Sequence, residues 1–151
     1  MFGRIIVGTD GSETAAEAVR QATELAKLSN SRLDIVSAYE PIPQQRLKEE
    51  AREAPGDVQY EIGPREDVNL ALDNASATAK KAGLEEVQTH AREGDPADAI
   101  LDVAEEIDGD LIVVGNKGMT GARRFLLGSV PNKVSHHAPC SVIIIRTTGG
   151  V

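Results

Sequence analysis

The chain has 151 residues, 40% of them hydrophobic and only 3% aromatic, and its formal net charge is -8 at pH 7. This length fits one globular domain with its own apolar core and excludes a second core. The acidic average surface repels phosphate backbones, which argues against nucleic acid or an anionic membrane as the main partner. Because the chain has one cysteine, Cys140, and no charged leader or membrane-length apolar segment, we expect a soluble cytoplasmic protein.

Five short apolar runs, several of them dominated by β-branched residues, predict five strands. Since aromatic residues are scarce, the core must come from Val, Ile, Leu and Ala, which fill parallel sheets and the helices that cover them. This composition favours an α/β fold over a β-sandwich. The predicted strands are Ile5–Val7, Leu33–Ala38, Val87–Ala91, Leu111–Val114 and Val142–Ile145.

Four helices are predicted in the intervals between these strands. Ser12 is a suitable N-cap for the first helix. Asp95 followed by Pro96 is a typical start for the third, which we expect Gly109 to end. A short fourth helix is expected to begin near Gly128. The buried faces follow the helical period at Ala15, Val19, Ala22 and Ala26, at Val68, Leu72, Ala75 and Ala79, and at Ala99, Ile100, Val103 and Ile107.

The alternation of strands and helices predicts an α/β fold made of one open, mostly parallel sheet flanked by helices, because crossover connections are right-handed. We assign residues 1–151 to this single domain. Residues Tyr39–Glu66 interrupt the alternation with four prolines, many charges and few large apolar residues. We interpret them as a surface excursion, since a linker would leave too little chain on either side for separate cores.

A glycine-rich stretch follows the fourth predicted strand, with the spacing Gly115-x2-Gly118-x9-Gly128-Ser129. Glycines between a strand and a new helix let the backbone approach a phosphate, and the helix amides then supply donors. A single Gly-x-x-Gly is typical of a simple turn, whereas the full spacing is more specific. From Gly115 through His137 the chain contains no Asp or Glu, and the basic residues Lys117, Arg123, Arg124 and Lys133 predict a local positive patch.

This spacing resembles the nucleotide-binding signature of ATP-binding universal stress proteins. The stretches Ile5–Ser12 and Asp34–Pro41 and the Gly94-Asp-Pro helix start are also similar to that family. The resemblance implies a Rossmann-like, adenine nucleotide alpha hydrolase-like sheet in the order 3-2-1-4-5, a homodimer, and ATP held between the ends of the first and fourth strands. An independent rule agrees, because open α/β sheets bind ligands where the strand order reverses.

The resemblance also implies the nucleotide contacts. The turn after the first strand is expected near ribose and adenine, the end of the second strand at the adenine, and the glycine-rich stretch under ribose and phosphates. The implied residues are Thr9, Asp10, Ala38, Val114, Gly115, Gly118, Gly128, Ser129 and Val130. A carboxylate at Asp10 suits sugar hydroxyls, with a helix cap as the simpler interpretation.

The basic side chains Lys117, Arg123 and Arg124 either reach phosphate oxygens or are solvated, and both interpretations stay open. Mg²⁺ is compatible with bound phosphates, but the sequence names no ligands for it. The pair of His136 and His137 indicates a helix C-terminus and not a metal site. Cys140 indicates a small buried residue, because no partner base is identifiable.

The sequence is compatible with three functions. The first is an ATP-binding, stress-responsive sensor or regulator, the second a cyclic AMP-binding protein of the same fold, and the third a slow ATPase. The chain lacks the Gly-x4-Gly-Lys-Ser/Thr, Gly-x-Gly-x-x-Gly and Gly-x-Ser-x-Gly motifs. We therefore expect no fast enzyme. The apolar segment Ser141–Arg146 predicts an edge strand that pairs with its copy in a homodimer, the alternative being a strand buried within the monomer.

Overall fold

The computed structural model describes residues 2–39, 64–116 and 129–147. Strands and helices alternate through these ranges. Each of the five predicted strands is confirmed, and its observed bounds extend by one or two residues at an end. In chain order the elements are β1 (Arg4–Gly8), α1 (Glu13–Ser29), β2 (Arg32–Tyr39), α2 (Pro64–Lys81), β3 (Val87–Glu93), α3 (Pro96–Glu106), β4 (Leu111–Gly115), α4 (Ser129–His137) and β5 (Ser141–Ile145).

The five strands form one parallel sheet in the order β3-β2-β1-β4-β5, as the resemblance implied. In the central strand β1, Ile5 lies beside Leu33 of β2 on one side and Leu111 of β4 on the other. The chain first builds outward from β1 through β2 to β3, and then returns to add β4 and β5 on the opposite side. The strand order therefore reverses between β1 and β4, where parallel sheets open a crevice at their carboxyl ends.

Both faces of the sheet are covered, which explains why the inner strands β1 and β4 are apolar without alternation. Ile5 and Val7 of β1 pack with α1 and α2, whereas Ile6 packs with α3 and α4. All three side chains are fully buried. The core is thus a pair of apolar layers, one on each face of the sheet.

The predicted helix starts are confirmed. Ser12 is the N-cap of α1, and its side chain accepts a hydrogen bond from Ala15 N at 3.2 Å. Asp95 is the N-cap of α3, where it accepts from Asp98 N at 3.1 Å, and Pro96 is the first helical residue. These caps satisfy amides that the helix itself leaves unpaired.

Gly109 closes α3 as predicted, because its N–H donates to Ala104 O at 2.8 Å, but it does not supply the left-handed backbone. The residue with left-handed backbone is Asp108, with φ of 53°, and Gly109 comes one position later. Gly109 is instead required by packing, because a Cβ at this position would collide with Cδ1 of Ile6. Its lack of a side chain lets the α3–β4 connection lie directly on the core.

The limits of the proposed surface excursion also change. Tyr39 is the last residue of β2, and the segment from Pro64 to Glu66 forms the first turn of α2. The guanidinium of Arg65 lies 5.7 Å from the centre of the Tyr39 ring, so the end of β2 contacts the start of α2. Residues 40–63 lie outside the described ranges.

One charged group is fully buried in the sheet. The carboxylate of Asp34 on β2 accepts from Arg32 Nε at 2.9 Å and is 2.8 Å from His90 Nε2 on β3. Because a carboxylate only accepts, His90 donates through this nitrogen. The Asp34 network ties the edge strand β3 to the sheet with a paired charge, as buried carboxylates require.

Candidate functional site

A cleft opens at the carboxyl ends of β1 and β4, at the reversal of strand order. β1 ends at Gly8, and the chain turns into α1 through Gly11, whose φ is 84°. β4 ends at Gly115, and α4 begins beside it at Ser129. The residues that line the cleft are Gly8, Asp10, Ser12, Thr14, Ala15, Val114, Gly115, Val130, Pro131 and Thr147.

The turn between β1 and α1 is held by short-range hydrogen bonds. Thr9 N donates to Val36 O at 2.9 Å, which fixes the turn against β2. Gly11 N donates to Thr9 Oγ1 at 3.1 Å, and Ser12 N donates to Asp10 Oδ1 at 2.9 Å. Asp10 is therefore not the helix cap, because Ser12 has that role. Its exposed carboxylate stands at the edge of the cleft.

The structure brings together four of the predicted site residues in this cleft: Asp10, Val114, Gly115 and Val130. Ser129 is exposed at the start of α4, next to Val130. Thr9 is buried and borders a separate cavity of about 120 Å³ between α1 and α2. Ala38 is the last but one residue of β2 and packs against the α3 side of the core without lining the cleft. Predictions at Lys117, Gly118, Arg123, Arg124 and Gly128 fall outside the described residues.

The start of α4 lies at the cleft, which Val130 and Pro131 line. The first N–H groups of a helix have no partner within the helix, and they favour anions. Pro131, the third residue of α4, has no N–H. The first-turn donors before it are consequently the amides of Ser129 and Val130.

Lys133 does not belong to an available positive patch, contrary to the sequence interpretation. Its Nζ lies 2.8 Å from Asp98 Oδ1 and 3.6 Å from Asp95 Oδ2, so it ties α4 to the start of α3. The hydrogen bond that Lys133 donates to Asp98 is the main reason that the pKa of Lys133 is raised. Among the described residues that line the cleft, Asp10 alone has a side chain with a formal charge.

Sequence reasoning missed Thr147 as a residue of the cleft. Thr147 N donates to Asn116 Oδ1 at 2.8 Å, although the two residues are 31 positions apart in the chain. The register of β4 with β5, which places Gly115 beside Ile145, brings them together. No local motif marks Thr147, so the pairing of the strands was the information required to find it.

Metal binding and cysteine chemistry have little support in the described ranges. There, no group of three or more His, Cys, Asp or Glu side chains could hold a metal ion. His136 and His137 lie in the last turn of α4, as predicted. Cys140 is half-buried instead of fully buried, and desolvation raises the pKa of its thiol. No helix within these ranges is long and apolar enough to span a membrane.

Comparison with known proteins agrees with the fold. The sequence profile of the Universal stress protein family matches residues 1–146. This chain belongs to the universal stress protein family. Over 149 residues it is 38% identical to a universal stress protein of Mycobacterium tuberculosis, covering 97% of this chain and 98% of that one.

Solved members of the universal stress protein family have the same fold. One, in complex with cAMP, has a TM-score of 0.72 and 32% identity, and the match covers 97% of this chain and 98% of that one. Another, from Archaeoglobus fulgidus in complex with dAMP, has a TM-score of 0.66 and 28% identity, covering 96% and 98% respectively.

Proposed function

We propose that this chain binds an adenine nucleotide, ATP foremost, in the cleft between β1 and β4, and acts as a nucleotide-dependent sensor or regulator in the response to stress. The observation that carries this proposal is the convergence of Asp10, Gly115 and the α4 amides where the strand order reverses. The relatives solved with cAMP and dAMP support an adenine nucleotide as the ligand class.

The two ends of the cleft suit the two ends of a nucleotide. The Asp10 carboxylate can accept hydrogen bonds from sugar hydroxyls. The amides of Ser129 and Val130 can donate to phosphate oxygens, and the helix dipole favours that negative charge. Because the whole chain carries a charge of -8, such local donors are required to overcome the average repulsion of phosphates. Mg²⁺ would then neutralise part of the phosphate charge, largely through the phosphates themselves.

Cyclic AMP is the second candidate ligand, because the solved relative that contains it is 32% identical to this chain. Its single phosphate also fits one helix start. Competition calorimetry with ATP, AMP and cAMP separates these ligands, and mass spectrometry of the purified protein identifies any nucleotide that it retains. A preference for cAMP by tenfold or more would replace ATP as the ligand and leave the site in place.

We propose binding without rapid turnover. In the described part of the cleft Asp10 is the one carboxylate, and the proposal assigns it to the sugar and not to a water beside the γ-phosphate. Release of phosphate from ATP at saturating protein measures this directly. A turnover number near 1 per second or above, which is ordinary for enzymes, would contradict the proposal of a binding protein.

Substitution of the predicted phosphate-facing glycine tests the site. Gly128→Asp adds a Cβ and a negative charge, and we expect it to weaken ATP binding by several kcal/mol, on the order of the interaction between close charges. Gly118→Val should act by steric exclusion alone. Ser129→Ala should lose only about 1 kcal/mol, since one hydroxyl bond is removed.

The matched control is Gly94→Asp, which adds the same charge at the carboxyl end of β3, two strands from β1. A Cβ at Gly94 would meet no atom within 4 Å. Because the φ of Gly94 is 115°, the control variant carries the backbone strain that a substituted glycine has at positive φ. Circular dichroism and thermal melting verify folding of both variants. If Gly128→Asp folds and binds ATP as tightly as the control, the proposed phosphate site is wrong.

We also propose that the chain forms a homodimer through β5. Within the described sheet β5 pairs only with β4, and its Ile144 side chain is 38% exposed. An apolar edge strand favours pairing with a second copy across a two-fold axis. Ile144→Lys should shift the molecular mass in light scattering from dimer to monomer, whereas the exposed Leu70→Lys on α2 should not. A monodisperse monomer in the unmodified protein would exclude the dimer.

A further inference from the structure

Three hydrogen bonds around Asn116 join the end of β4 to the end of β5. Asn116 N donates to Ile145 O at 2.7 Å, which continues the parallel ladder one step beyond Gly115. The side-chain Oδ1 of Asn116 accepts from Thr147 N at 2.8 Å and from Thr147 Oγ1 at 3.1 Å. We call these two residues and their three bonds the Asn116–Thr147 clamp.

The clamp adjoins the cleft from both strands. Asn116 directly follows Gly115, which lines the cleft, and Thr147 lines it as well. Both clamp residues are half-buried. Thr147 follows β5 by two residues, where the regular ladder has ended. The bonds to Asn116 are thus the contacts that hold Thr147 against the cleft.

The clamp also fixes Asn116, the residue directly after β4. Both donors of Thr147 bind Oδ1 of Asn116, and Asn116 N binds Ile145 O. Asn116 is therefore held through its side chain and through its backbone. Ordering this backbone before a ligand arrives reduces the conformational entropy lost on binding. A binding site gains affinity when such supporting groups lock the groups that contact the ligand.

We propose that Asn116 and Thr147 are positioning residues of the nucleotide site, a role that rests on the proposed function above. The clamp holds the backbone after Gly115 in its nucleotide-facing conformation, and it makes the segment after β5 a wall of the site. By linkage, a nucleotide that requires the closed clamp also stabilises it, so occupancy of the site changes the end of β5.

Graded variants at the two positions test the affinity. Asn116→Ala removes both side-chain bonds and should weaken ATP binding about tenfold in calorimetry, while Thr147→Val removes only the hydroxyl bond and should weaken it about threefold. Thr147→Ser restores the hydroxyl and should recover most of the loss. Thr89→Val, at an exposed position on β3, is the matched control and should bind ATP like the parent.

Two further readouts separate positioning from a general effect on stability. Asn116→Asp keeps an acceptor for Thr147 but adds a negative charge, so it should lose more affinity for ATP than for adenosine, which has no phosphate. In the unmodified protein, saturating ATP should slow hydrogen exchange of the Thr147 amide at least fivefold and leave the amide of Thr89 unchanged.

The outcomes distinguish this inference from the proposed function. If the parent binds no adenine nucleotide, the proposed function fails at that step and the inference fails with it. If the parent binds ATP and Asn116→Ala binds it equally well, the clamp has no positioning role, and the proposed function stands. Should Asn116→Ala fail to fold, exchange in the unmodified protein decides, because an unchanged Thr147 amide at saturating ATP overturns the inference.

Discussion

Gly109 offers a sharp test of the packing that supports the cleft. A Cβ built on Gly109 would collide with Cδ1 of Ile6, which is fully buried, while Cγ1 of Ile6 would be 3.4 Å away and Ala104 O 3.5 Å away. The φ of Gly109 is not in the left-handed region, so the substitution acts by sterics alone. Overpacking of this kind costs 1–3 kcal/mol, and we expect Gly109→Ala to lose about 2 kcal/mol.

The magnitude can be tested by removing the atom that collides. Ile6→Val deletes Cδ1 and should cost about 1 kcal/mol when made alone. In the double variant the new methyl group occupies the vacated space, so the total loss should be about 1 kcal/mol instead of the additive ~3 kcal/mol. The coupling free energy of about 2 kcal/mol then belongs to the contact between Ile6 and residue 109.

Urea unfolding followed by circular dichroism measures the four free energies of the cycle, with unchanged m-values as the check on two-state behaviour. In a thermal scan, Gly109→Ala should lower the Tm by about 4–8 °C for a domain of this size. Gly94→Ala is the control, because its loss comes from backbone strain at φ 115° and should add to that of Ile6→Val. A double variant at Gly109 that shows simple additivity would refute the steric explanation.

Three other predictions concern charge and backbone conformation. Asp34→Ala should lower the free energy of unfolding by about 3 kcal/mol, because it leaves the donors of Arg32 and His90 without their buried acceptor. His90→Gln keeps a donor and should lose less than half of that free energy. Urea unfolding compares the two variants, and an Asp34→Ala variant as stable as the parent would contradict a stabilising role. Hydrogen bonds from Arg20 lower the pKa of Glu17 to about 2, so the pair contributes stability above pH ~4.3 that fades as pH falls toward the folded pKa; NMR titration should show this pKa rising toward its ordinary value in Arg20→Gln. Asp108→Gly should raise the unfolding free energy by about 0.5 kcal/mol by relieving a positive φ, and a lower urea midpoint would count against that strain.

Local patterns in the sequence were sufficient for the elements and for a mostly parallel sheet, whereas the strand order came from the family resemblance. Apolar runs, capping residues such as Ser12 and Asp95, and the right-handed crossover rule each act over a few residues or a single connection. The family resemblance supplied the four predicted site residues that line the cleft. Asp10 lies two residues after β1 and Gly115 ends β4, and the ends of these two strands meet where the strand order reverses.

Tertiary structure decided the features that depend on contacts between distant parts of the chain. Gly109 reads as a helix terminator in the sequence, but its need for a missing Cβ comes from Ile6, more than a hundred residues away in the chain. The sequence predicts that Lys133 belongs to a basic patch, but the packing of α4 on α3 places it beside Asp98. Thr147 enters the cleft only because β5 pairs in register with β4. Periodicity and capping residues indicate which secondary structure each segment prefers. The partners of a side chain depend on which segments pack together, and this packing is determined by the whole fold.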